Sequence, residues 1–331
     1  MKVLINQDLS RHEWSNFVRS SAFSSPFQTP EYFDFFNSIP NLSAEVFAIE
    51  DNGELRVLCV ITIQKEAGLK GFFSRRAIIY GGPIIEEGAN ISLRLLLNEI
   101  QTHLKKKVIY IETRNLYDYS KYLPEFEQAG WKYSPHLNYH LNCETKELVW
   151  SNLNSNRKRQ IKKAFKNGVE IIEATELSEV TTFYEILKEL YHKKVHKPLM
   201  PRQFFEYFFI RKLGKFLLVK YHDKIIGGIM CPVLKDNIIY EWYIAGLDSE
   251  YKDESPSVMA TYAAISYAFN NRLSKFDFMG AGKPEEEYGV RDFKAKFGGQ
   301  VIENGRFIKT LNPLLFNIGK IGLKGLSKIK K

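Results

Sequence analysis

The pattern of apolar and polar positions changes period several times along the chain, and these changes predict an α/β protein. Trp14, Phe17 and Val18 recur at helical spacing after Ser10, and Tyr32, Phe33, Phe35 and Phe36 follow Ser25-Pro26. Strand-like runs at 44–50 and 55–63 flank Asp51-Asn52-Gly53. An Asn-Gly pair between apolar runs is a strong hairpin signal, because the tight turn there needs positive φ at both central residues. A strand over 76–80 ends at Gly81-Gly82-Pro83. A helix over 91–105 carries Leu93, Leu96, Leu97, Ile100 and Leu104 on one side, and a strand over 108–112 follows.

The second half repeats this order. Helices are expected over 178–195 and 202–211, then strand 215–221, a turn at His222-Asp223-Lys224, and strands 225–234 and 238–245. Helix 256–270 and strand 275–279 complete the series. The hairpin turns near 52 and 223 are offset by about as much as the strands near 110 and 277, as a duplicated domain requires. The expected architecture is two tandem α/β domains, each a mixed central sheet flanked by helices, over 1–145 and 146–311, with a tail over 312–331.

Composition fits this picture. A length of 331 residues suits two domains, and 44% hydrophobic with 26% charged residues excludes a disordered chain. The net charge of +9 favours anionic partners. Cys59, Cys143 and Cys231 are isolated and odd in number, which suits neither a disulfide framework nor a zinc site. No metal and no cofactor are expected. The N-terminus lacks the apolar run of a signal peptide, and no stretch is long and apolar enough to span a bilayer. The expected location is the cytoplasm.

Four segments carry candidate chemistry. Residues 155–166 contain Arg157, Arg159, Lys162, Lys163 and Lys166 without an acid, with Gly168 placed as a helix C-cap. They suit a pyrophosphate or a nucleic-acid backbone, or form a solvated helix face. Asp277, at the end of an apolar strand before Gly280-Ala281-Gly282, reads either as a base or as a partner of strand-end backbone. Phe293-Lys294-Ala295-Lys296-Phe297-Gly298-Gly299 sets lysine between aromatic residues, an arrangement suited to stabilising an oxyanion. In the tail, Lys320, Lys324, Lys328 and Lys331 form a stripe roughly opposite Leu315, Ile318, Leu326 and Ile329. Such a segment either lies on an anionic membrane surface, here the inner face of the cytoplasmic membrane, or packs on the protein body.

Together these segments resemble the Fem family of peptidoglycan-bridge aminoacyltransferases (FemABX) and the wider FemAB-like or BioF2-like acyltransferases. The resemblance runs from about Pro26 to Asn312. It rests on residues 156–164, Tyr240-Glu241-Trp242-Tyr243, Phe276-Asp277-Phe278-Met279-Gly280 and residues 293–299, with residues 26–32 and 81–83 matching less specific signatures. It implies two GNAT-like (acyl-CoA N-acyltransferase-like) domains, aminoacyl-tRNA as donor, and a muropeptide or other envelope precursor as acceptor. By position, Lys294 would be the catalytic lysine supported by Phe293, and Arg157 or Arg159 would contact acceptor phosphates. Lys162, Gln28, Tyr32, Glu241 and Tyr243 stand as further candidate substrate-binding residues. Asp277 or Glu241 would take the amine proton. The helical-hairpin arm of some family members is absent.

One loop bears on the donor. An ordinary GNAT domain grips coenzyme A pyrophosphate with a glycine-rich loop at a helix N-terminus. Here Asp248-Ser249-Glu250-Tyr251-Lys252-Asp253-Glu254-Ser255-Pro256 has no glycine and several acids, with Ser255 and Pro256 expected as N-cap and first turn. This favours a donor other than acetyl-CoA. Two alternatives stand beside aminoacyl transfer: an acyl-CoA-dependent N-acyltransferase in surface-polysaccharide or lipid-amine synthesis, and a non-catalytic RNA- or membrane-binding protein.

Overall fold

The computed structural model describes residues 1–65, 74–234 and 237–319. They form two compact units, Met1–Pro135 joined by the segment from Asn304 onward, and His136–Glu303.

The first unit contains β1 (Lys2–Ile5), α1 (Arg11–Ser20), α2 (Pro30–Asn37), β2 (Leu42–Asp51), β3 (Glu54–Gln64), β4 (Arg76–Gly81), β5 (Ile84–Ile85), α3 (Asn90–Leu104), β6 (Tyr110–Asn115), α4 (Leu123–Gln128) and β7 (Lys132–Ser134). The second contains β8 (Leu137–Asn142), α5 (Lys146–Asn152), α6 (Ser155–Lys166), β9 (Glu170–Glu173), α7 (Leu177–Leu190), α8 (Arg202–Ile210), β10 (Gly214–Tyr221), β11 (Lys224–Leu234), β12 (Ile238–Tyr240), β13 (Tyr243–Gly246), α9 (Pro256–Asn270), β14 (Lys275–Asp277), α10 (Gly289–Ala295) and β15 (Gln300–Glu303). The chain then returns to the first sheet as β16 (Arg306–Thr310).

Among the described residues both sheets have eight strands. The first runs β1-β2-β3-β4-β6-β16-β7 with β5 on β3, and the second β15-β8-β14-β12-β11-β10-β9 with β13 on β11. Each is antiparallel apart from one parallel pair, β4 with β6 and β12 with β14. The duplication extends to backbone detail. Asn52 and Gly53 have φ of 55° and 82°, and His222 and Asp223 have 43° and 63°. Each two-residue turn lies just beyond a register shift, at Ile49/Glu50 and at Val219/Lys220. The bulge adds twist to a hairpin whose turn already matches strand twist.

The sheets divide the chain differently from the 145/146 and 311/312 boundaries. Residues 137–142 pair with β14 and β15, so they belong to the second unit. Residues 306–310 pair with β6 and β7, so they belong to the first. The strand expected over 238–245 is interrupted at Glu241-Trp242, and the helix expected to reach Val195 is an α-helix to Leu190 that continues as a π-helical turn through Val195. Of the tail, residues 313–319 are helical, and Phe316 packs edge-on to Tyr110 with centroids 5.2 Å apart. The stripe residues Lys320, Lys324, Leu326, Lys328, Ile329 and Lys331 lie outside the described residues. No helix among the described residues is long and apolar enough to cross a membrane.

In the first unit, α3 lays Leu93, Leu96, Leu97, Ile100 and Leu104 against Phe47, Cys59, Ile79 and Ile111. Gln28 is fully buried. Its amide nitrogen donates to Tyr80 O at 2.8 Å and Val60 O at 3.3 Å, and its oxygen accepts from Val60 N at 2.6 Å. Tyr32 is also buried, with its ring 5.3 Å from Phe27. Both candidate substrate contacts are thus structural in this conformation: Gln28 ties the α2 entry to β3 and β4, and Tyr32 fills the core. Gln28→Ala would leave buried backbone groups without partners, and we expect a loss of about 2–4 kcal/mol in urea unfolding. A loss below about 1 kcal/mol would contradict this role.

Candidate active site

The site in the second unit begins where two parallel strands separate. β12 and β14 pair through only three residues, Ile238–Tyr240 against Lys275–Asp277. Beyond them Glu241 N still bonds Asp277 O at 2.9 Å, while Trp242 N turns to Met230 O at 3.0 Å and β13 continues along β11. β14 stops because its own side chain competes for the backbone. Asp277 Oδ1 accepts from Met279 N at 2.6 Å, and Asn138 Oδ1 accepts from Gly280 N at 2.8 Å. Met279 and Gly280 take positive φ, 53° and 123°. The carbonyls of Phe278 and Gly280 are thereby turned out of the ladder.

Those carbonyls receive Lys294. On the short helix α10, Lys294 is buried, and its ammonium donates to Phe278 O at 2.6 Å and Gly280 O at 2.9 Å. Its third partner is Glu241 Oε1 at 2.9 Å. The ammonium has three donors and all are engaged. To meet a reacting oxygen it must exchange one of them. Glu241 is 6% exposed, and its Oε2 has no hydrogen-bond partner. Burial pushes the Glu241 carboxyl above its ordinary value, Lys294 opposes the shift, and Asp277 adds to it.

Asp277 is saturated instead. Besides Met279 N, its carboxylate accepts from Asn138 Nδ2 at 2.7 Å and lies 2.9 Å from His140 Nε2. Of the two readings left open for Asp277, the structure shows the backbone partner at the strand end.

The basic run forms α6 and ends as expected. Gly168 has φ of 93°, and Val169 N bonds Ala164 O while Gly168 N bonds Phe165 O, a Schellman cap. Arg157 faces inward, 5% exposed. Its guanidinium donates to Gln160 Oε1 at 2.6 Å and Phe293 O at 3.3 Å, over the rings of Phe293 and Phe297 at 4.5 and 5.0 Å. Arg157 therefore holds α10, which carries Lys294, rather than facing a ligand. Arg159 is exposed and bonds Asn156 Oδ1 at 2.7 Å, and Lys162 is exposed over the Trp150 ring at 5.7 Å. Tyr243 is half-buried beside Phe205, with centroids 5.0 Å apart.

The acidic loop is also committed within the fold. Asp248 Oδ1 accepts from Ser257 N at 3.0 Å, and its other oxygen accepts from the Ser257 hydroxyl. Ser255 holds the N-cap position as expected, and the Asp248 carboxylate supplies the capping hydrogen bond to α9. Ser255 sits at φ 48° with no capping hydrogen bond, whereas Pro256 holds the first turn as expected. Asp253 pairs with Lys163 at 2.7 Å, and Glu254 accepts from Asn167 at 2.9 Å. All three cysteines are buried, and desolvation pushes the Cys143 thiol up to about 12.

Sequence reading missed Asn138, His140 and Asp248. A signal for the first two exists in Leu137-Asn138-Tyr139-His140-Leu141-Asn142, which alternates apolar and polar residues with period two. Asp248 gives no such signal, since its capping role depends on how the loop closes.

The profile of the family described as acetyltransferase (GNAT) domain matches residues 151–294. Among solved structures, FemX superposes with a TM-score of 0.73 at 15% identity, over 96% of this chain and 99% of that one. A tandem GNAT protein from the clavulanic acid biosynthesis pathway gives 0.60 at 10%, over 94% and 99%. L-PGS from Bacillus licheniformis gives 0.58 at 10%, over 94% and 96%. No curated protein sequence matches the chain. Fold and profile together give two tandem GNAT-like domains, with the acetyltransferase (GNAT) profile lying in the second unit. Each of the two units has its own eight-stranded sheet among the described residues.

Replacing Asp277 by Ala would strand Asn138, His140 and the Met279 amide together. We expect Asp277→Ala to lose about 3–5 kcal/mol in denaturant unfolding. A loss under about 1 kcal/mol would show that the strand end does not depend on this carboxylate.

Proposed function

We propose that the second unit transfers an aminoacyl group from a tRNA ester to an amine of a cell-envelope precursor, with Glu241 and Lys294 as the catalytic pair. The observation that carries this reading is the buried contact between them, at the point where β12 and β14 separate, with one Glu241 oxygen unpartnered. In the proposed step the amine nitrogen bonds the carbonyl carbon as the ester C–O bond breaks. The proton lost by nitrogen goes to Glu241, and the departing hydroxyl oxygen regains one. Lys294 exchanges a carbonyl partner for the oxygen on which negative charge develops. Positioning of both reactants supplies much of the remaining acceleration.

Glu241 suits the base role better than Asp277. Its carboxyl is raised toward neutrality by burial, and it has an acceptor site to spare. Asp277 has neither the vacancy nor the freedom to move. The donor assignment draws on the α9 N-terminus, where the Asp248 carboxylate takes the Ser257 amide that a pyrophosphate would need. The envelope acceptor draws on likeness to FemX and to a putative lysylphosphatidylglycerol synthetase domain from Agrobacterium fabrum, and on the sequence motifs. Acyl-CoA as donor is the second reading, favoured by the acetyltransferase profile over 151–294.

Transfer assays with aminoacyl-tRNA and with acyl-CoA, each with a UDP-muropeptide acceptor, separate the two readings. Product from aminoacyl-tRNA alone is expected, and product from acyl-CoA alone would replace it by the second. In whichever assay is productive, Lys294→Met is expected to lower kcat by about 10²–10³-fold with the fold intact. Full activity in that variant would sink the catalytic-pair reading.

The pH profile has a definite sign. Glu241 must be ionised to accept a proton, and its carboxyl lies above the ordinary 4.5, so activity should fall on acidification through a limb above that value. Lys294 is the group that favours the carboxylate, so Lys294→Met should move the limb further up. Glu241→Gln should abolish it. A limb at or below 4.5, unmoved by Lys294→Met, would assign the base elsewhere.

A further inference from the structure

The helices of the second unit enclose a groove that the Glu241–Lys294 chemistry does not use. Its volume is about 540 Å³. α9 packs against both α5 and α6, and the groove lies where the three meet. Lys146 and Trp150 line it from α5, Lys162 and Phe165 from α6, and Tyr262 from α9. Residues three or four apart share a helix face, so each helix of the first pair turns one lysine and one aromatic ring the same way.

The three rings are mutually placed. Tyr262 is buried and lies edge-on to both others, with centroids 6.4 Å from Trp150 and 6.1 Å from Phe165 and interplanar angles of 74° and 75°. Trp150 and Phe165 thus stand steeply against Tyr262, as walls against a floor. Phe165 is 45% exposed, although Ile161 and Ala164 already fill the core side of α6. Its ring therefore serves the groove and not the core. The mouth is basic. Lys162 Nζ lies 5.7 Å from the centre of the Trp150 ring. Lys158 Nζ donates at 3.2 Å to the carbonyl of Ser151, which also lines the groove, so a second ammonium from α6 reaches the rim one turn before Lys162. Lys146 adds a third, against one lining acid, Glu147.

Flat aromatic walls favour a flat ring, and ammonium groups at the mouth favour an anion. A cation is disfavoured, because Lys162 already lies over the Trp150 face and would repel it. The volume falls within the roughly 300–1,000 Å³ of small-molecule sites. We propose that this groove binds a nucleotide, with its base stacked on Trp150 and Phe165 and its phosphate held by Lys158, Lys162 and Lys146. The nucleotide is either free or part of an unpaired strand, since both present the same base and phosphate. The groove shares no residue with the Glu241–Lys294 pair, so the proposal goes beyond the acyl-transfer reading and holds for either donor.

Calorimetric titration of the full chain with AMP, UMP, a single-stranded hexaribonucleotide, ribose 5-phosphate and dodecyl phosphate, at constant ionic strength, tests it. Saturable binding of the nucleotides or the strand is expected, with ribose 5-phosphate weaker by about tenfold or more because it has no base. A strand that binds more tightly than AMP and UMP identifies the strand as the source, and equal affinities identify the free nucleotide. Binding should quench tryptophan fluorescence, and the quenching should vanish in Trp150→Leu. Phe165→Ala should weaken binding about tenfold, and its exposed position keeps the fold intact. Lys162→Ala should weaken binding and flatten its salt dependence. Lys163→Ala, which removes an ammonium paired with Asp253, should change affinity by less than about twofold. Absence of saturable binding by any nucleotide or strand would overturn the proposal. So would ribose 5-phosphate binding as tightly as AMP, dodecyl phosphate binding where no nucleotide does, or affinity unmoved by Phe165→Ala and Lys162→Ala.

Discussion

The second unit is organised around one costly act, the burial of the Lys294 ammonium. An isolated charge in such a place would lose several kcal/mol of hydration. The fold meets it with three oxygens: one from Glu241, and two carbonyls freed because β14 ends at Asp277. Each depends on something further back. Asp277 and Asn138 capture the amides of Met279 and Gly280, and the positive φ of those two residues turns the chain. Arg157 holds the carbonyl of Phe293, and Gly298, at φ 84°, lets the chain after α10 pass the backbone of Asn152, where a β-carbon would lie 2.1 Å from an oxygen. Strand pairing, strand termination and a short helix thus converge on one nitrogen.

The same construction explains why the two acids differ. Asp277 has several donors on its oxygens and serves the backbone. Glu241 has one charged partner, a raised carboxyl and an oxygen left over. Burial with few hydrogen bonds makes a base, and burial with many makes a brace. Two tandem sheets with matching hairpins, bulges and parallel pairs carry quite different polar groups in their faces. The first unit has three arginines about Glu112, and the second has the lysine pair.

Much of the fold was legible where the signal is local. The Asn52-Gly53 turn, the α3 leucine stripe, the Gly168 cap and the helix starting at Pro256 are readable from a few adjacent residues. The unit boundaries were not, because β8 and β16 are defined by partners more than a hundred residues away. Of the site, Lys294 and Glu241 were among the candidates through their motifs, Glu241 both for substrate binding and, beside Asp277, as a taker of the amine proton, but its contact with Lys294 was not foreseen. Gln28, Tyr32 and Arg157 look like ligand contacts in sequence because polar or aromatic residues in a motif serve packing and binding alike. Ser255 stands at the α9 N-cap as its sequence pattern predicts, but its side chain makes no capping hydrogen bond. The loop instead closes so that Asp248 reaches Ser257.

Carbon-detected NMR titration of the Glu241 carboxyl in the intact protein tests the central claim most directly, since it reads the buried group itself. A midpoint above 4.5, with an intact Lys294 contact in the same sample, is what the account predicts. A midpoint at or below 4.5 would contradict it, making Glu241 a fixed counter-ion and removing the base from the proposed reaction.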